Sequence, residues 1–236
     1  MLEIEAINTF RGRAQILRKA SLTVGEKEAV VLVGRNGAGK TTTIDSIIGL
    51  LPLRSGKITF LGKDISALPP YRRARLGIGY APEDSGLFPD LTVAENFQIC
   101  TWLAETSGRA TQAADSEERV FAIFPEVKTL TERRGLYLSG GQKKMVAIAR
   151  AMMLSPAILL LDEPFEGLAP VVVTRLIEAV KKIKELKISV LIAESNLANA
   201  TRVADRLYAI DRGEIIFDGP PRQAFENVEV MKTFRG

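Results

Sequence analysis

The stretch VLVGRNGAGKTT, residues 31–42, decides the architecture. Ala29 to Val33 is an unbroken apolar run, the pattern of a strand buried on both faces. A glycine-rich loop follows, then a helix from about Lys40 to Leu50. The loop matches G-x-x-x-x-G-K-[ST] through Gly34, Gly39, Lys40 and Thr41. Glycine at Gly34, Gly37 and Gly39 lets the main chain curl until its N–H groups face an anion. Asn36, Ala38 and Thr42 belong to the same cradle, and the helix N-terminus adds the positive end of its dipole. In such a loop Lys40 reaches the β- and γ-phosphates of a nucleotide, and Thr41 offers its hydroxyl to Mg²⁺.

Upstream, Leu2 to Ile7 alternates as a half-exposed strand, Ile16 to Val24 reads similarly, and Gly25-Glu26 turns the chain. Downstream, GKITFLGKDI supplies a strand near Lys57 to Leu61. From Thr92 to about Met153 the pattern becomes helical. Thr92 caps TVAENFQICTWLA with Glu95 at capping-box spacing. TSGRATQAAD reads as a polar loop, SEERVFAIF as a second helix and GQKKMVAIARAMML as a third. Strand and helix then alternate: Ala157 to Leu161, Pro170 to Glu185, Ile188 to Ala193, a short helix Leu197 to Ala204, and a hairpin around Arg212-Gly213. Alternation of this kind implies βαβ units and a parallel sheet, with the helical middle as an insertion.

Two further stretches carry chemistry. AILLLDEP ends a strand in Asp162-Glu163, and ligands of parallel sheets sit at the carboxyl ends of strands. Downstream of a phosphate loop, Asp162 is placed to hold Mg²⁺ and Glu163 to orient and deprotonate an attacking water. LSGGQKK, residues 138–144, sets Ser139, Gly140, Gly141 and Gln142 at a second helix start, a second anion site. One nucleotide does not reach two separate helix N-termini of one chain easily. The economical arrangement is a dimer in which each chain's second site closes on the other's nucleotide.

Composition narrows the classes. The chain has 236 residues, a net charge of +4, one cysteine (Cys100) and no histidine. An intrachain disulfide, histidine triads and histidine metal sites are excluded. No apolar run approaches the ~20 residues of a membrane span. The start of the chain alternates like a strand and does not read as a signal peptide. A soluble chain is expected.

The loop GRNGAGKT, the stretch LSGGQ and the stretch ILLLDEP, in this order and spacing, resemble the ATP-binding cassette (ABC) ATPases over essentially the whole chain. The resemblance implies an α/β P-loop NTPase core with an antiparallel β-subdomain and an inserted α-helical signature subdomain. Residues 1–83 and 156–236 form the core and β-subdomain, and 84–155 the helical subdomain, of one ATP-binding domain. It implies ATP and Mg²⁺ as ligands and a head-to-tail dimer, homomeric or heteromeric, closed by ATP. Within the family, GLLPLRSGKITFLGKDI, LFPDLTVAEN, DEPFEGLAP and GEIIFDGPP look most like the shorter ATPase subunit of branched-chain amino acid importers. The sequence also ends with EVMKTFRG, and the extra C-terminal domain of sugar-importer ATPases is not expected. The partners so implied are a second cassette and transmembrane permease subunits, with a periplasmic solute-binding protein acting indirectly. The chain would sit on the cytoplasmic face of a bacterial or archaeal inner membrane. An importer of another small solute such as an amide or urea, with this chain as a weakly hydrolytic ATP-binding partner, is the alternative. A DNA-repair cassette needs long coiled coils or two cassettes, so no nucleic-acid partner is expected.

Three positions depart from the family pattern. Where the family stacks an aromatic residue on adenine, TFRG offers Arg11, whose guanidinium can stack, or Phe10 if the register shifts; Arg11 is favoured. Where the family has Gln in the loop to the helical subdomain, this chain has Glu83, able to ligate Mg²⁺ or hold water. Asp84, Leu87 and Phe88 beside it read as docking residues. The family's switch residue, usually His, aligns with Ser195 in SVLIAESN, so Ser195 is expected to face the γ-phosphate. Weak but real ATPase activity is expected, because Glu163 is intact. Asn196 is expected to cap the next helix, and Glu194 to face away from the phosphate.

Overall fold

A computed structural model describes residues 1–106 and 110–235. At its centre is β3 (Ala29–Val33), with all five residues buried. It pairs in parallel with β8 (Ser189–Glu194) on one side and β9 (Arg206–Asp211) on the other. β7 (Ile158–Asp162) and β6 (Ile78–Ala81) continue the parallel sheet beyond β8, and β10 (Glu214–Gly219) closes the opposite edge antiparallel to β9. The order is β10-β9-β3-β8-β7-β6. Side chains of β3 alternate between two cores. Val31 and Val33 join Leu159, Leu161, Val190 and Ile192 on one face, and Val30 and Leu32 join Ile158, Leu160, Leu191 and Ala193 on the other. Burial on both faces is why these strands read as continuous apolar runs.

A second sheet, of order β2-β1-β4-β5, is antiparallel and comprises β1 (Leu2–Arg11), β2 (Ala14–Val24), β4 (Leu53–Phe60) and β5 (Lys63–Asp64). It shares its core with α1 (Lys40–Ile48), the helix that follows the glycine loop. β1 and β2 run further than their apolar alternation, to Arg11 and from Ala14, because the pairing continues across Phe10↔Gln15 and Arg11↔Ala14.

The C-terminal end of α1 is capped by a residue from α2 (Pro70–Leu76). Arg73 is buried and donates to Ser46 O at 2.7 Å, Ile47 O at 2.8 Å, Leu68 O at 2.8 Å and Ser66 O at 2.9 Å. Its positive charge meets the negative end of the helix dipole. Burial pulls its pKa down, with Asp64 opposing.

Between β6 and β7 the chain is helical: α3 (Val93–Thr106), α4 (Ala110–Ile123), α5 (Pro125–Lys128) and α6 (Gly140–Met152). The expected capping box opens α3, with Glu95 N–H donating to Thr92 Oγ1 at 3.1 Å and Thr92 N–H to Glu95 Oε2 at 2.7 Å. The polar stretch 106–115 is a loop only in part. α4 starts at Ala110, so six residues read as loop are helical, and residues 107–109 lie outside those described. After β7 come α7 (Pro170–Glu185), α8 (Leu197–Val203), α9 (Pro221–Ala224) and α10 (Val228–Arg235).

Candidate functional site

Strand register builds the site. Val33 pairs with Glu194, and Asp162 with Ala193, so β3, β8 and β7 end side by side. Gly34, Ser195 and Glu163 therefore leave neighbouring strands at one level, the carboxyl edge where parallel sheets hold ligands.

The glycine loop wraps the space above β3. Gly39 has φ +117°, a conformation side-chain-bearing residues avoid, and a Cβ on Gly34 would meet Ile210 O at 2.5 Å. The pocket over the loop is open, about 340 Å³, and is lined by Arg11, Asn36, Gly37, Gly39, Lys40, Thr41, Thr42, Glu83 and Glu163 among others. Gly34 and Ala38 are buried and do not line it.

Lys40 is folded back onto its own loop. Its Nζ donates to Gly34 O at 2.8 Å and Arg35 O at 3.1 Å, and stands 3.0 Å from Glu163 Oε1. Both side chains of that ion pair are 5% exposed, so solvent screens it little. The other oxygen, Glu163 Oε2, accepts from Ser195 N–H at 3.0 Å and Ser195 Oγ–H at 3.1 Å. Ser195 thus grips the carboxylate with main chain and hydroxyl together.

Glu194 does not line the loop pocket, but it joins this hydrogen-bonded group. Its Oε1 accepts from the same Ser195 N–H at 3.0 Å and from Asn196 N–H at 2.9 Å, so two carboxylates converge on one donor. Its Oε2 is buried without a hydrogen-bond partner. Burial, reinforced by Glu163, pushes the Glu194 carboxyl up to about 7, against the pull of the Asn196 and Ser195 N–H groups. Nothing in the apolar run SVLIA announces this pairing; the only signal was a charge closing a fully buried strand. Asn196 caps α8 as expected, its side chain accepting from Asn199 N–H at 3.0 Å.

Asp162 Oδ1 accepts from Thr41 Oγ–H at 3.3 Å, and Asp162 Oδ2 is buried with no partner. Burial raises this carboxyl to about 6; the Thr41 bond opposes, and Glu163, Glu83 and Asp45 add to the rise. A carboxylate oxygen left unsatisfied beside a threonine hydroxyl suits a hard cation with oxygen ligands. Among the described residues no three acidic or cysteine side chains converge as a ready metal cluster. Glu83 lines the pocket from an exposed position.

Arg11 is tied down rather than free. Its guanidinium pairs with Asp45 of α1 and donates from Nε to Thr42 Oγ1 at 3.2 Å, while half its side chain stays exposed at the pocket. Burial raises the Asp45 carboxyl, and Arg11 counters it. Phe10, the neighbour on the strand, is exposed.

The signature stretch lies elsewhere. Ser139 caps α6 in a complete box, with Ser139 Oγ accepting from Gln142 N–H at 3.3 Å and Gln142 Oε1 from Ser139 N–H at 2.9 Å. Ser139 and Gly140 are exposed, Gly141 packs on Val172, and none of residues 139–142 lines the pocket of their own chain.

A family profile described as ABC transporter matches residues 17–166. The chain is 32% identical over 236 residues to the high-affinity branched-chain amino acid transport ATP-binding protein BraG of Pseudomonas aeruginosa, covering 100% of both. It is 34% identical over 229 residues to the lipopolysaccharide export system ATP-binding protein LptB of Escherichia coli, covering 96% of this chain and 93% of that one. Among solved structures it is similar to a nucleotide-free ATP-binding cassette from an ABC transporter, with a TM-score of 0.86, 26% identity and coverage of 100% and 99%. It is equally similar to the ADP conformation of MJ1267, an ATP-binding cassette of an ABC transporter, at TM-score 0.86 and 26% identity over 100% and 98%.

Proposed function

The chain belongs to the ABC transporter family, and from that premise we propose that it is the motor subunit of an importer of branched-chain amino acids. It is an ABC-type ATPase. The observation that carries the mechanism is the row of strand ends at which Lys40, Asp162, Glu163 and Ser195 meet the glycine loop.

ATP enters with its phosphates against the N–H groups of residues 34–42. Lys40 leaves Glu163 and the carbonyls of Gly34 and Arg35 for the β- and γ-phosphates. Glu163, released from the ion pair and still held by Ser195, takes a proton from a water aligned with the γ-phosphorus. The new O–P bond forms as the bond to the bridging oxygen breaks, and ADP and phosphate result. Mg²⁺, held by Thr41, Asp162 and phosphate oxygens with Glu83 at the rim, would neutralise charge on the phosphates. Arg11, fixed by Asp45, offers its guanidinium plane to the base. Ser139, Gly140, Gly141 and Gln142 serve the partner chain's ATP, which suits their distance from their own pocket. Asp84, Leu87 and the exposed Phe88 form the face for the permease. Among the described residues no helix is long and apolar enough to cross a membrane, in keeping with a peripheral subunit on permease partners.

Glu163→Gln tests the mechanism: phosphate release falls ~10²- to 10⁴-fold while ATP binding persists. Unchanged release would refute the role of Glu163. The solute is tested by deleting the coding sequence and measuring uptake of radiolabelled leucine, isoleucine and valine. The similarity to LptB favours a second reading, an export motor. Undiminished uptake of all three, with loss of an exported lipid, would replace the first reading by the second.

A further inference from the structure

Lys144 lies on α6, just after the signature glycines, and reaches across to two other segments. Its Nζ donates to Glu83 O at 2.7 Å and to Glu163 O at 2.7 Å. Four carboxylates lie close enough to favour its charge, namely Glu83, Glu166, Asp162 and Glu163, yet its hydrogen bonds go to main-chain oxygens. A cation spent on carbonyls fixes backbone and leaves the acidic side chains to other partners, as Glu163 has Lys40 and Ser195. Burial disfavours the ammonium here, so the contact is held against a desolvation cost.

The segment it fixes is unusual. Glu163 has φ +45°, the left-handed region that a side-chain-bearing residue rarely adopts. Its N–H donates to Ala193 O at 2.9 Å on β8. Apart from Lys144, its carbonyl receives a long 3.4 Å bond from Glu166 N–H. The strained peptide that aims the Glu163 carboxylate is therefore held from β8 at one end and from α6 at the other.

We propose that Lys144 is a positioning residue for hydrolysis, locking the main chain of Glu163 and of the Glu83 loop to the signature helix of the same chain. Movement of α6 as a partner cassette engages it then reaches the base directly, and so does movement of the loop that faces the permease. The proposal rests on the reading of Glu163 as the base, and its test separates the two.

Lys144→Met keeps length and removes the donors; Lys144→Arg keeps charge and donors. The full chain and both variants are compared by steady-state phosphate release, by titration with a fluorescent ATP analogue and by thermal melting, with Glu163→Gln alongside. Displacing a reacting group by about 1 Å costs about 100-fold. Lys144→Met should therefore lower kcat roughly 10- to 100-fold, with KM and analogue affinity within about twofold, and Lys144→Arg should restore most of the rate. A kcat unchanged in Lys144→Met while Glu163→Gln is inactive overturns the positioning role alone. A Glu163→Gln variant as active as the parent overturns the reading of the base, whatever Lys144 does. Loss of analogue affinity matching the loss of rate, or failure to fold in both Lys144→Met and Lys144→Arg, makes Lys144 a structural residue and overturns the proposal.

Discussion

Replacing Glu194 by Gln should change how stability depends on pH. The carboxyl is 1% exposed, one oxygen is orphaned, and burial beside Glu163 holds it near 7 instead of the ordinary 4.5. A carboxyl raised on folding stabilises the native state fully below about pH 4.5, and that contribution disappears as pH climbs through about 7. The rise from 4.5 to about 7 corresponds to at most ~3 kcal/mol between pH 5 and 8, no steeper than ~1.4 kcal/mol per pH unit. Gln keeps the acceptor for the Ser195 and Asn196 N–H groups and puts an amide donor where Oε2 is unsatisfied. Glu194→Gln should match the parent within ~1 kcal/mol at pH 5 and exceed it by ~2–3 kcal/mol at pH 8. Urea unfolding followed by circular dichroism at pH 5, 6, 7 and 8 measures both chains. Parallel curves, or a gap that widens toward acid, would refute the assignment of a buried, proton-bearing Glu194.

Two other substitutions test the contacts. Ser195→Ala removes the hydroxyl bond to Glu163 and leaves the N–H bond. Losing one charge-assisted bond of ~1.5–3 kcal/mol should slow turnover by up to roughly 10- to 100-fold with little change in ATP affinity. Turnover at the parent rate would mean that the hydroxyl has no part in orienting the base. Arg73→Met strips four carbonyls of their donor, those of Ser46 and Ile47 in buried bonds, and should cost ~3–5 kcal/mol. Calorimetry should find the melting temperature lowered by about 8–15 °C; a drop under about 3 °C would show that water replaces the guanidinium without loss.

The parts legible in sequence are those in which composition and geometry share one cause. β3, β7 and β8 are apolar because they are buried on both faces, and the glycine loop and Asp162-Glu163 follow from their position at the carboxyl end of a strand, while Ser195 is singled out by the family resemblance. α2 was not legible. PYRRARL has no apolar stripe, and its one buried residue is Arg73, whose partners are carbonyls brought from α1 by the fold. Lys144 hid for the same reason, a lysine beside Lys143 in a helix whose core stripe lay on other residues. The ion pair of Lys40 with Glu163 and the meeting of Glu194 with Glu163 each join positions far apart in the chain. Strand register brings them together, and no local pattern encodes register between distant strands.

The capping box at Ser139 makes the free signature helix its own competitor for an anion. The N–H groups of Ser139 and Gln142 that a partner's phosphate would recruit are already engaged, with Gln142 Oε1 and Ser139 Oγ. A cap of this kind is worth ~0.5–2 kcal/mol, which must be displaced before a phosphate takes its place. In affinity that is a handicap of roughly 2- to 30-fold on any anion weaker than the cap. Stray inorganic phosphate and sulfate, held by this helix end alone, would thus be discouraged, whereas in the proposed dimer a nucleotide already anchored on the opposite chain would bring its γ-phosphate at high effective concentration. The helix end acts as a threshold that sorts incoming anions by how firmly something else is presenting them.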